Sequence, residues 1–197
     1  MPRETHDITP ADILPLAIWG EQRRSQRTAM SFLKKNRRVS VGPHATLYFE
    51  NWDTMWYQVQ EMLWIEKGGS DQLVDEMLAY NPLIPQGGEL SATLMFEIPE
   101  ETTRRRILAE LGGIEDRVSI RIGGTRIAGL SEAGADRTTA SGKTSAVHFL
   151  HFPFTTDQIA GFSDMNQEVM IRIDHPNYGH AGIVGDAVRA ELAGDFG

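Results

Sequence analysis

The chain has 197 residues, of which 41% are hydrophobic and 23% charged, the composition of an ordinary globular protein and not of a disordered one. It contains no cysteine, which excludes disulfides, thiolate-held zinc or iron–sulfur centres and thiol nucleophiles. The formal charge of −8 argues against general nucleic-acid binding.

In chain order, Thr9-Pro10 reads as a helix start, and Pro15 bends or ends that first turn. A long helix is predicted from about Leu16 to Arg37. At about 100° per residue, Arg23, Arg27, Lys34 and Arg38 fall in one stripe, while Ile18, Ala29, Phe32 and Leu33 lie away from it and are expected to pack. Residues 22–38 hold 7 of the 19 basic residues and no acid, so the other 12 are set against 27 acids. This basic N-terminal helix is either a solvated face or a docking surface for an acidic protein partner or an anionic ligand.

Residues 44–50 alternate as a half-buried strand, with Ala45, Leu47 and Phe49 on one face and His44, Thr46, Tyr48 and Glu50 on the other. Asp53 is the expected cap of the next helix, and Ser70 of the one after, whose Leu73, Val74, Met77 and Leu78 point inward. Trp52, Trp56, Tyr57 and Trp64 crowd this region, as core, an aromatic cage or an interface. A second strand spans 90–98, and a short helix follows Glu100-Glu101. Residues 118–130 read as a hairpin around Gly123-Gly124, and 131–143 as a mobile loop. Ala140-Ser141-Gly142-Lys143-Thr144 imitates the end of a phosphate-binding loop, but Arg137 stands where the pattern needs its first glycine, so a flexible loop is the better reading. Further strands are expected at 146–152 and 168–174, and Thr155 and Gln158 make a capping-box pair. A turn spans residues 174–179, and a short helix runs from about Asp186.

Strands do not alternate regularly with helices, so the predicted class is α+β: a mainly antiparallel sheet with helices packed on one face and a long N-terminal helix. The five main strands are expected in one sheet, helices lying on its Leu47/Phe49 and Leu94/Phe96 side. The length suits one domain over residues 1–197. The N-terminus is polar, and no apolar run approaches the roughly 18–20 residues of a membrane span, so a cytoplasmic protein is expected.

The polar face offers His44, Tyr48, Glu50, Thr93, Glu97, Arg121, Arg172 and Asp174, either as solvated surface or as the lining of a groove with acid–base capability. His44, Tyr48, Glu50, His148, Arg121 and Arg172 are the binding candidates, with His44, Tyr48 and Glu50 expected in a concave site joined by a residue such as His148. A metal would draw on His44, Glu50, His148, His175 and His180. His148 and His151, three apart on a strand, face opposite sides. No spacing names a cofactor or a reaction.

The runs Val41-Gly42-Pro43-His44-Ala45-Thr46-Leu47-Tyr48-Phe49-Glu50-Asn51 and Asp53-Thr54-Met55-Trp56-Tyr57-Gln58-Val59-Gln60-Glu61-Met62-Leu63 resemble a bacterial family known as domain of unknown function 3501. The resemblance continues through residues 80–86, 126–129 and 174–178 and covers most of the chain. It implies a small bacterial cytosolic protein, often encoded beside rubrerythrin and an iron–sulfur oxidoreductase, and therefore an accessory in peroxide defence or electron transfer. It brings no established catalytic residues. Two functions follow: a non-catalytic accessory or binding protein of such a system, or a small enzyme, with or without a metal, with a His/Tyr/Glu site on the polar face of the sheet.

Overall fold

Alternation along the strands decides the architecture, because the main strands each have one largely apolar side that must be covered. A computed structural model describes residues 6–131 and 144–197; the phosphate-loop-like run up to Lys143 lies outside them. The elements are α1 (Leu16–Lys35), β1 (Arg38–Val41), β2 (Ala45–Glu50), α2 (Trp52–Glu66), α3 (Gly69–Tyr80), β3 (Glu89–Phe96) and α4 (Glu101–Ala109), then β4 (Val118–Ile122), β5 (Thr125–Ala128), β6 (Leu130–Ser131), β7 (Val147–Pro153), α5 (Thr156–Ser163), β8 (Val169–His175), β9 (Tyr178–Ile183) and α6 (Asp186–Leu192). The class is α+β with a long N-terminal helix, and every strand pair is antiparallel. No helix among the described residues is long and apolar enough to cross a membrane.

The strands form two sheets, not the single sheet expected. One has the order β1-β2-β3-β7-β6 and the other β5-β4-β8-β9. Leu47, Phe49, Leu94 and Phe96 from the first share one core with Ile120, Ile122, Ile171 and Ile173 from the second. The side expected to meet helices therefore meets mostly another sheet. Alternation shows that a strand face is buried, but a helix and a second sheet satisfy it equally.

The helical layer lies on the other side of the first sheet. Trp52, Met55, Val59 and Leu63 of α2 cluster with Ile8, Leu83 and Ile84, and Phe149 of β7 packs against them. The aromatic group belongs to this core. Trp52 stacks on Trp56 at 6.0 Å, and Trp19 of α1 meets Trp56 edge-on at 5.5 Å. The indole N–H groups of Trp19, Trp52 and Trp56 donate to Glu61 and to the carbonyls of Asp7 and Asp12, so each ring's polar edge is satisfied inside the fold.

Several local expectations change. Asn51, not Asp53, caps α2, its side chain accepting from the Thr54 N–H at 3.0 Å. Gly68 precedes α3 in place of Ser70. The α1 helix stops at Lys35, so Arg38 opens β1 and leaves the helical stripe. The face of α1 that packs carries Trp19, Arg23 and Met30, whereas Ile18 and Phe32 are exposed. Arg23 forms a two-pronged ion pair with Glu61 of α2, at 2.8 and 2.9 Å, and lies 5.8 Å from the Trp64 ring centre. An aromatic and salt-bridged seam thus replaces the apolar one that periodicity suggests. On α3, Val74 and Leu78 stay exposed and line a groove with Pro10 and Pro82.

Tyr178, at the start of β9, joins the sheets. Its hydroxyl donates to the Val41 carbonyl at 2.7 Å and accepts from the N–H groups of His44 and Ala45 at 3.0 and 2.9 Å. Farther along β9, a Cβ on Gly182 would stand 2.3 Å from the Ser40 carbonyl oxygen of β1. Only glycine permits that approach between strands. Gly182→Ala is expected to lower stability by about 1–3 kcal/mol through overpacking, read by urea unfolding, while Gly88→Ala, which meets nothing within 4 Å, stays within about 0.5 kcal/mol. Equal effects of the two changes would contradict the tight contact. Arg23 holds the Glu61 carboxyl below its ordinary value by hydrogen bonding. A depressed folded-state value means that the pair's stabilisation is complete above the unfolded carboxylate range, about pH 4–5, and is lost as pH falls through the folded value. The stability gap between the parent chain and Glu61→Gln should therefore narrow on acidification in pH-dependent unfolding; a constant gap would remove this pair from the acid response.

Candidate functional site

The polar side of β2 begins with Glu50. Its neighbours Leu47 and Phe49 fix the strand's facing, so Glu50 points into the layer between the first sheet and α2, where it is 5% exposed. One carboxylate oxygen accepts from the Thr93 hydroxyl of β3 and the other from the Thr54 hydroxyl of α2, both at 2.7 Å. Across the strands Glu50 is paired with Ser91, and Ser91 in turn with His151 of β7. The Ser91 hydroxyl is buried without a hydrogen-bond partner among the described residues. His151 Nδ1 lies 3.3 Å from the Glu89 carboxylate. The row Glu50–Ser91–His151 combines a carboxylate, a hydroxyl and an imidazole; the first two lie inside the core and the third is half-buried.

The other binding candidates lie elsewhere. Tyr48 is half-buried and donates to Glu97 at 2.8 Å; burial and that carboxylate push its phenol above the usual value. His44 sits in the turn before β2, not on the strand, and its ring lies 6.5 Å from that of Tyr178. The His180 ring lies 4.5 Å from that of Tyr178. His175 is held by the Gly112 carbonyl and the Asn177 N–H at 3.3 and 3.2 Å, so His175 and His180 keep different partners.

His148 stands opposite Leu94, on the apolar side of the first sheet. It has no exposure; Nε2 lies 2.9 Å from the Ser145 carbonyl and 3.2 Å from the Thr144 hydroxyl, and Nδ1 lies 3.7 Å from the Glu115 carboxylate. This His148–Glu115 pair escapes sequence reasoning, because Glu115 lies in a short 3-10 turn between α4 and β4 with no periodic signal. His148 and His151 do face opposite sides, as their spacing requires. Arg121 and Arg172 belong to the second sheet, where Asp174 bridges them. The residues proposed as one concave site are thus distributed over both sheets. Among the described residues, no three histidine, aspartate or glutamate side chains gather as a cation site would need.

The basic stretch divides in the same way. Arg23 is committed to Glu61. Arg37 is 2% exposed and bonds the carbonyls of Phe49 and Glu50, at 3.1 Å each, together with Asp195 and Glu191. Arg24, Arg27 and Lys35 remain outward and, with Thr28, Ser31 and Phe32, line a shallow depression on α1. Lys34 is half-buried and Arg38 exposed beyond the helix. None of these five cations pairs with a described carboxylate.

No curated protein matches the chain. Among solved structures, a protein of unknown function from Burkholderia pseudomallei K96243 shares 38% sequence identity, covers 96% of this chain and 99% of its own, and superposes with a TM-score of 0.88. The family described as protein of unknown function (DUF3501) matches residues 7–196, nearly the whole sandwich and its helical layer, and the chain belongs to that family.

Proposed function

We propose that this chain is a non-catalytic accessory or binding protein of a rubrerythrin-type redox or peroxide-stress system in the bacterial cytosol, docking an acidic partner through the outward side of α1. One observation carries the reading: an acidic chain gathers Arg24, Arg27 and Lys35 around Phe32, which is 76% exposed. An apolar anchor ringed by unpaired cations suits an acidic protein surface, where charge steers the encounter and the ring supplies buried area. The redox setting rests on the family resemblance alone.

The second reading is a small, metal-dependent enzyme using His44, Tyr48, Glu50 or His148. It draws its support from the buried Glu50 beside the Ser91 hydroxyl, which has no partner among the described residues, since a catalytic role is one explanation for a buried polar group left without a partner. Stoichiometric iron, manganese or zinc in the purified protein would favour it.

The docking surface is tested with the double variant Arg27→Glu, Lys34→Glu against a purified rubrerythrin-type protein and the iron–sulfur oxidoreductase from the same bacterium. The parent chain should bind one of them, more weakly as salt rises and the Debye length shrinks to about 10 Å or less. Charge reversal should weaken binding at least roughly tenfold, about 1.4 kcal/mol, with an unchanged unfolding midpoint. Failure of the parent chain to bind either protein at low salt would sink the reading.

A further inference from the structure

The outer face of the second sheet carries a charge pattern that its own residues do not neutralise. Val118, Ile120 and Ile122 of β4 and Val169, Ile171 and Ile173 of β8 point into the core, so Ser119, Arg121, Met170, Arg172 and Asp174 share the opposite face. Register places Ser119 across from Arg172, and Arg121 across from Arg126 of β5. Two guanidiniums directly opposite each other repel. Asp174 accepts from Arg172 Nε at 2.5 Å and from an Arg121 terminal nitrogen at 3.4 Å. Arg126 pairs with no described acid. Glu168, just before β8, forms no ion pair with the three arginines. Three cations therefore share one carboxylate.

Two donors on this face are also stranded. The Ser119 hydroxyl is wholly buried and has no hydrogen-bond partner among the described residues, and neither has the buried Nε of Arg121. Buried donors of this kind are rare in folded proteins and call for an acceptor. Unsatisfied N–H and O–H groups beneath an excess of guanidiniums specify an acceptor that is also an anion. Guanidinium forks bind oxyanions through paired, charge-assisted hydrogen bonds.

We infer that Arg121, Arg126, Arg172 and Ser119 form a binding site for a phosphoryl group. The three arginines with Asp174 leave two positive charges, which match a phosphate dianion better than a singly charged carboxylate. Donors converging from three adjacent strands suit a tetrahedral group more than a planar one. Asp174 orients two of the arginines and competes with the ligand for their N–H groups. This site shares no residue with the α1 surface and stands or falls apart from it.

The test is calorimetric titration of the full chain with inorganic phosphate, with glycerol phosphate as a monoester and with acetate, at constant ionic strength. Saturable single-site binding of phosphate or the monoester is expected, with acetate much weaker. Stronger binding of the monoester would assign the site to a phosphorylated metabolite or side chain, and stronger binding of free phosphate to the inorganic ion. Arg126→Gln, an exposed change that leaves the fold intact, should weaken binding roughly tenfold, the scale of one charge-assisted contact. Ser119→Ala should weaken it less. Asp174→Asn should strengthen it, a gain that no merely structural role predicts. The inference is overturned if neither phosphate species binds the parent chain or Asp174→Asn below about 10 mM, a range where single weak contacts already register. It is equally overturned if acetate binds as well as phosphate, or if Arg126→Gln changes nothing.

Discussion

The buried guanidinium of Arg37 is the constraint around which the middle of the chain is arranged. A buried charge is tolerated only when it is paired and its hydrogen bonds are made. Arg37 meets that demand with the carbonyls of Phe49 and Glu50, the last residues of β2, and with Asp195 and Glu191 near the C-terminus. Its own carbonyl accepts from the Phe49 N–H at 2.7 Å. These bonds fix where α1 gives way to β1, where β2 ends, and where the C-terminal turn docks. They also set the carbonyl side of Glu50, whose carboxylate then reaches Thr54 and Thr93. Burial raises the Asp195 carboxyl above its ordinary value, against the pull of Arg37.

A second buried arginine works by related physics. Arg189 of α6 donates to the carbonyls of Gly161, Phe162, Asp164 and Gln167 around the end of α5. A positive charge there answers the carbonyls that a helix leaves unpaired and opposes the negative end of its dipole. Among the described residues, Arg37 and Arg189 are interior clamps, Arg23 is a seam residue, and others such as Arg24, Arg27 and Arg126 face outward. The clamps are committed to the fold, so a partner or a ligand meets the outward arginines.

Much of this was legible along the chain. The alternation around Leu47 and Phe49, the Gly123-Gly124 hairpin, the Thr155–Gln158 cap and the opposed facing of His148 and His151 all rest on short-range rules, and each holds. Long-range relations were not legible. Nothing local distinguishes Arg37, clamped in the interior, from Arg27 ten residues earlier in the same basic run. Nothing in a strand's period says whether its apolar side meets a helix or another sheet, and Arg121 and Arg172 were for that reason grouped with Glu50. The packed side of α1 departs from its hydrophobic periodicity because Trp19 and Arg23 bury as a unit with Glu61, an association that periodicity does not score. The candidate site suffers most from these gaps, since a site is by nature a meeting of distant residues.

The close approach of β9 to β1 at Gly182 and Ser40 has a bearing on how the protein behaves at high concentration. An open sandwich exposes strand edges whose unpaired backbone groups can template another chain. Here one edge of each sheet, β1 in the first and β9 in the second, is pressed against the other. A glycine that fits between two strands thus also narrows the access of another chain to those two edges.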